Sequence, residues 1–173
     1  IDIETGEVLF EWSALEHVPV TEGLYNFEEE YDAQQGRIEA GEEDAELATR
    51  EKPFDYFHIN SVTVDDDDNL LVSARHTHAV YKLDRETGDI LWTLGGRASD
   101  FDLPDEAVFT WQHSAARDSD GTLVLFDNHA RNADDDQSSH GLRLELDEQA
   151  MTASVVTEHL PPEDRPAGSM ANT

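Results

Sequence analysis

A chain of 173 residues with 38% hydrophobic content can bury one ordinary core, and the absence of cysteine excludes disulfides, thiolate metal sites and a cysteine nucleophile. Forty acidic residues against eleven basic ones give a formal net charge of -29, so no basic patch is available for phosphate contacts and nucleic acid is excluded as a partner. Such a surface repels itself in dilute buffer and is tolerated where salt shortens the Debye length, to about 3 Å at 1 M. A salt-adapted source explains the charge, with an acidic secreted protein as the alternative. No run of eighteen apolar residues suggests a membrane span, and the opening "IDIETGEVLFEW" lacks a basic region followed by an apolar stretch. It reads as a strand already under way, which leaves the compartment and any upstream signal or anchor open.

Residues 25–50, "YNFEEEYDAQQGRIEAGEEDAELATR", are acid-rich with little apolar periodicity and read as a solvated insertion. From there "HINSVTV", "LLVSARH", "AVYKLD" and "ILWTLGG" are four apolar-alternating strands cut by the turns "DDDDN" and "RETGD". Four antiparallel strands in about forty residues are the span of one propeller blade, placed at 53–96. A second blade follows at 108–160, through "HSAARD", "TLVLFDN", "GLRLELD" and "ASVVTEHL". Residues 161–173, "PPEDRPAGSMANT" after Leu160, read as a connector to a further blade. An internal repeat supports this layout: Asp2, Thr5 and Gly6 of "IDIETGEVLFEW" match Asp84, Thr87 and Gly88 of "KLDRETGDILW". The fold class is therefore all-β, a propeller of four-stranded antiparallel blades with about two and a half present. Two and a half blades cannot close a ring.

Unlike polar groups collect at strand starts, where propeller ligands sit near the central channel. His58 and Asn60 in "DYFHINS" lie two apart on an inner strand and share a face, and Arg75 in "LVSAR" is within hairpin reach of it. These donors suit a tetrahedral oxyanion. His113 in "WQHSA" begins the next blade at the position expected to be equivalent to His58, so both imidazoles are expected at one site. Each group has a structural reading beside this one. A histidine at a strand start is commonly a satisfied structural group, and Arg75 can pair with one of the many acids. His76 and His78 have chelating spacing but no clear third ligand. Asp65 to Asp68 and Asp134 to Asp136 read as solvated turns. Trp92, Trp111 and Phe126 read as core, Asp127 and Asn128 as turn residues, and His129, His140 and His159 as surface residues.

The segments "DYFHINSV", "LLVSARHT", "VYKLDRETGDILWTLGG", "SDF", "WQHSA" and "LVLFDN" occur in an order and spacing that resembles the arylsulfotransferase family, in its bacterial branch independent of the sulfate donor PAPS. The likeness runs from about Val8 to the end, outside the acidic insertion, and "AGSMANT" resembles the start of a following blade. The resemblance implies a six-bladed propeller that moves a sulfuryl group from a phenolic sulfate ester to a phenol through a sulfohistidine. Carried over by motif, His113 is the nucleophile, and His58, Asn60 and Arg75 hold the sulfate oxygens, with His58 able to act as general acid. His17 in "LEHV" is a looser match to a channel histidine. No cofactor and no metal are implied, the partners are small aryl sulfates and phenols, and an extracytoplasmic or membrane-anchored setting is favoured. One departure stands out: many members read "QHDA" where this chain has "QHSA", so Ser114 replaces a carboxylate. That departure keeps open a second reading, a non-catalytic propeller that binds a ligand or a protein.

Overall fold

A computed structural model of the chain describes residues 1–24, 39–41, 55–129 and 139–161. The expected insertion at 25–50 and the expected connector at 161–173 lie outside the described residues, apart from 39–41 and Pro161. Two antiparallel four-stranded meanders make up the fold. The first contains β1 (Ile59–Val64), β2 (Leu70–Ala74), β3 (Ala79–Leu83) and β4 (Ile90–Gly95), and the second β5 (His113–Arg117), β6 (Leu123–Asp127), β7 (His140–Asp147) and β8 (Thr152–His159). Each sheet keeps its strands in sequence order. The one described α-helix, α1 (Ala14–His17), is a single turn.

Strands β2 to β4 of the first sheet are buried on both faces, which is why they read as apolar runs, whereas Ile59, Val62 and Val64 of β1 are exposed. Side chains alternate across a strand. Leu71, Val80, Trp92 and Leu94 pack against Phe101, Phe109, Leu123, Leu125, Leu142 and Leu144, forming a core between the two sheets. Val72, Tyr81 and Leu83 face the other way, onto Val18, Tyr56 and Phe57. Truncating any of the fully buried leucines to alanine costs about 2–5 kcal/mol at sites of this kind.

The internal repeat is a repeat of turn geometry. Asp84 Oδ1 accepts from the backbone N–H groups of Glu86 and Thr87, both at 2.8 Å, while Asp2 Oδ1 accepts from Glu4 and Thr5 at 2.9 and 2.8 Å. Gly88 and Gly6 both take positive φ, 81° and 74°, where a side chain would be strained. Residues 7–12, however, form no strand among the described residues. The turn is local and needs only its own residues, whereas a strand needs a partner.

The sheets are clasped at one end by buried charge. Asp65, expected as a solvated turn residue, has only 2% of its side chain exposed. Arg117 donates to it from Nε at 2.8 Å and Nη2 at 3.0 Å, and Lys82 Nζ lies 2.8 Å from its Oδ2. Arg117 Nη2 also meets Glu148 at 2.9 Å, and Lys82 meets Asp67 at 2.9 Å. Burial pushes the Asp65 carboxyl up, but the hydrogen bonds from Arg117 and Lys82 outweigh it and hold it well below the usual carboxylate range.

A folded-state value below the unfolded one means that the contribution of Asp65 is fully present above about pH 4 and is lost as the pH falls below that. Asp65→Asn should lower stability to urea at pH 7 by about 3 kcal/mol, and its deficit against the parent should shrink below pH 4. A deficit of equal size at pH 7 and pH 3 would contradict this account.

Candidate functional site

The strands β1 and β5 start at the same end of the molecule and run side by side, joined by side-chain hydrogen bonds instead of a ladder. Asn60 Nδ2 donates to Gln112 O at 2.6 Å, Ala115 N to Ser61 Oγ at 3.2 Å, and Thr63 Oγ1 to Ala115 O at 3.0 Å. Gln112 is fully buried, and its Nε2 reaches into the first sheet, with Ser73 Oγ and the carbonyls of Ala74 and Ala79 at 2.9–3.1 Å. His113 is the next residue, so this anchor sets its place. Ser114, after it, takes a φ of 58° within the β-bulge that interrupts the β5–β6 ladder.

The corresponding bonds of the two sheets recur with every residue number raised by 53. His76 N donates to Phe57 O and His129 N to Thr110 O, while Asp65 N donates to Asn69 O and Asp118 N to Thr122 O. In this register Asn60 matches His113, and His58 matches Trp111. The expected equivalence of His58 and His113 is therefore corrected: His58 stands two residues earlier, at a corner where both sheets place a left-handed residue, with φ 56° at His58 and 54° at Trp111. The turn aspartates at 65 and 118 carried this register in the sequence.

His58, Arg75 and His113 nevertheless come together. The half-buried His113 ring feels the positive charges of both Arg75 and His58, and these, after burial as the larger cause, hold its pKa below the ordinary histidine value. Neither ring nitrogen of His113 is hydrogen-bonded to a described residue. The Arg75 guanidinium carbon lies 4.4 Å over the Trp111 ring, a cation–π contact that supports the cation from below. Trp111 is thus part of this site's floor, edged by His76 at 5.3 Å and by His78 at 5.4 Å. Asn60 is half-buried at the same end, with one of its two amide hydrogens on Gln112 O and with Oδ1 buried and lacking a hydrogen-bond partner.

His17 stays apart. It stacks on Trp12 at 5.1 Å and donates from Nδ1 to Ser13 O at 2.9 Å, against the turn around Gly88. That turn joins β3 to β4 at the opposite end of the sheet from His113. Trp12 Nε1 donates to Gly88 O at 3.0 Å, so the one-turn helix is tied to the far end by packing.

Two further groups escape a reading of the sequence. Asp55 bonds through its carboxylate to His58 Nδ1 and through its carbonyl to His76 Nδ1, and the His58 and His76 rings lie 4.6 Å apart. Burial lowers the His76 pKa. Asp127, His129 and His140 form a second such cluster, although both histidines were expected at the surface. Each trio brings one donor atom per residue within 4.8 Å of the others. The only advance signal for Asp55 is its place three residues before His58.

Two four-stranded meanders packed face to face, with imidazoles and a guanidinium gathered where their innermost strands begin, define part of a β-propeller with its polar site at the channel end. A family model described as Arylsulfotransferase (ASST) matches residues 1–166, and the chain belongs to that family. A search of curated proteins finds no match. No described helix is long and apolar enough to cross a membrane.

Removing the neighbouring cation should favour the imidazolium form. In Arg75→Met the pKa of His113, followed by NMR of the ring protons, should therefore rise toward about 6.5. An unchanged titration would show that Arg75 does not act on His113.

Proposed function

We propose that the protein transfers a sulfuryl group from an aryl sulfate ester to a phenol through a sulfohistidine at His113. The observation that carries this reading is a half-buried imidazole with no hydrogen bond to a described residue, held below its ordinary pKa by burial, by the Arg75 guanidinium and by His58, in a chain of the arylsulfotransferase family. A depressed pKa keeps His113 neutral near pH 7, with a lone pair available for attack.

In the first step a ring nitrogen of His113 bonds to sulfur while the sulfur–oxygen bond of the ester breaks, and the electron pair leaves with the phenolate. His58, protonated, gives its proton to that oxygen. Its Nδ1 is occupied by Asp55, which leaves Nε2 as the donor. Arg75, braced on Trp111, and the second amide hydrogen of Asn60 hold the sulfuryl oxygens. In the second step an incoming phenol loses its proton to His58, attacks sulfur and releases neutral His113. The buried Asn60 Oδ1 is an acceptor for a hydroxyl group. Against a net charge of -29, the local cations are what make an anionic ester welcome.

Ser114 supports a second reading, a non-catalytic binding module, because the carboxylate that many relatives carry beside the nucleophile is replaced. Asp55 on His58 supplies a carboxylate to the other imidazole instead.

Transfer from nitrophenyl sulfate to a phenol, measured in high salt with the full-length protein, decides between them. His113→Ala should reduce the rate at least about a thousandfold, and the ester alone should leave one sulfuryl group on the peptide containing His113. Equal rates for parent and variant would sink the sulfohistidine. Arg75→Gln should lower kcat by about a hundredfold or more; a rise in KM with kcat unchanged would assign it to ground-state binding only.

A further inference from the structure

We infer that Asp127, His129 and His140 bind a single divalent cation of the zinc class. The site is independent of the sulfuryl-transfer proposal. Phe126 pairs with His113 in the β5–β6 ladder, and Asp127, the next residue along β6, turns its side chain to the opposite face.

The first sheet shows what the fold itself needs at this corner. With the numbering raised by 53, Ala74 stands where the second sheet has Asp127, and His76 where it has His129. Ala74 pairs with Ala79 across β2 and β3, just as Asp127 pairs with His140 across β6 and β7. The alanine pair closes the same backbone corner, since His76 N still donates to Phe57 O at 3.1 Å, against 3.2 Å from His129 N to Thr110 O. A carboxylate and an imidazole facing each other across the ladder are thus additions to a corner that two alanines complete.

Asp127 has 0% of its side chain exposed, and a buried carboxylate needs strong compensation. Its Oδ1 accepts from Thr110 N at 3.0 Å and His129 N at 2.9 Å, which fixes the carboxylate and turns Oδ2 toward His129 Nδ1 at 2.9 Å. The His140 ring centroid is 5.9 Å from that of His129. One oxygen and two ring nitrogens lie within 4.8 Å of one another. Zinc bonds of about 2.0–2.2 Å place tetrahedral ligands about 3.4 Å apart, a set reached here by rotation of the half-buried rings. Two nitrogens and one oxygen select zinc, nickel or copper over calcium and magnesium, which take oxygen sets. Three protein donors leave a fourth position for water. The ion would also staple β6 to β7, because its ligands come from the end of one strand and the start of the next.

The test is a zinc titration of chelator-treated full-length protein in high salt with excess magnesium, which occupies the acidic surface. One equivalent of zinc should bind per chain and raise the melting temperature. His129→Ala should weaken binding about tenfold or more. The double variant Asp127→Ala, His140→Ala recreates the alanine pair of the first sheet; it should fold, as read by circular dichroism, and bind no stoichiometric zinc. His58→Ala, which breaks the other aspartate–histidine trio, should bind zinc like the parent. Failure of the parent to bind in magnesium, retention of zinc by the double variant, or its loss in His58→Ala would each overturn the site.

Discussion

The buried amide of Gln112 holds the two sheets in one relative position. Its Nε2 has two hydrogens and three acceptors within reach, the Ser73 hydroxyl and the carbonyls of Ala74 and Ala79. Those carbonyls flank the corner between β2 and β3, where Ala74 O also accepts from the Thr77 hydroxyl at 3.3 Å, and a buried carbonyl that loses its donor costs about 1–3 kcal/mol. The donor sits at the start of β5, immediately before His113. A slip of one residue there would turn His113 to the other face of its strand. A single side chain therefore couples the register of the second sheet to the backbone of the first, and the relation of His113 to Arg75 follows from it.

The site is asymmetric although the frame that carries it is repeated. Both sheets begin with a left-handed corner, continue through an interrupted ladder, and return by a five-residue turn. At that corner one sheet presents His58 and the other Trp111; two residues later, one presents Asn60 and the other His113. The same backbone thus presents two imidazoles, an indole and an amide from two copies of one hairpin. The close approach of the chain beside this end depends on Gly95 and Gly96, where an added Cβ would stand 2.7 Å from His78 O and 2.5 Å from Thr77 O. Such contacts leave no room for any other residue.

The strands and turns were legible in the sequence because alternation and turn chemistry are local. Six of the eight described strands fall within the apolar segments "HINSVTV" to "TLVLFDN", and β7 and β8 begin one residue before "GLRLELD" and "ASVVTEHL". Contacts between distant segments were not legible. Asp65 looked like one more member of a solvated acidic run because its partners, Lys82 and Arg117, belong to other strands. His58 and His113 looked equivalent because they are alike in type, whereas the register follows the turn aspartates. His17 matched a motif, yet Trp12 and Gly88 keep it at the far end. Trp111 is buried as its reading as core expected, but nothing local shows that Arg75 lies on its face. His58, Asn60, Arg75 and His113 do gather at one end, since the linked motifs reflect a fold in which inner strands start together.

The clasp of Asp65, Lys82, Arg117 and Glu148 behaves differently toward salt from the surface around it. Dissolved ions screen exposed charges and relieve the mutual repulsion of the acidic exterior, but they act more weakly on largely buried pairs such as Asp65 with Lys82 and Arg117. Lys82 and Arg117 keep only 6% and 8% of their side chains exposed. Rising ionic strength therefore weakens the repulsion of the acidic exterior more than the attraction of Asp65 for Lys82 and Arg117. Among the described basic residues, Lys82 and Arg117 lie inside, where counterions compete weakly, whereas Arg85 and Arg97 stay exposed.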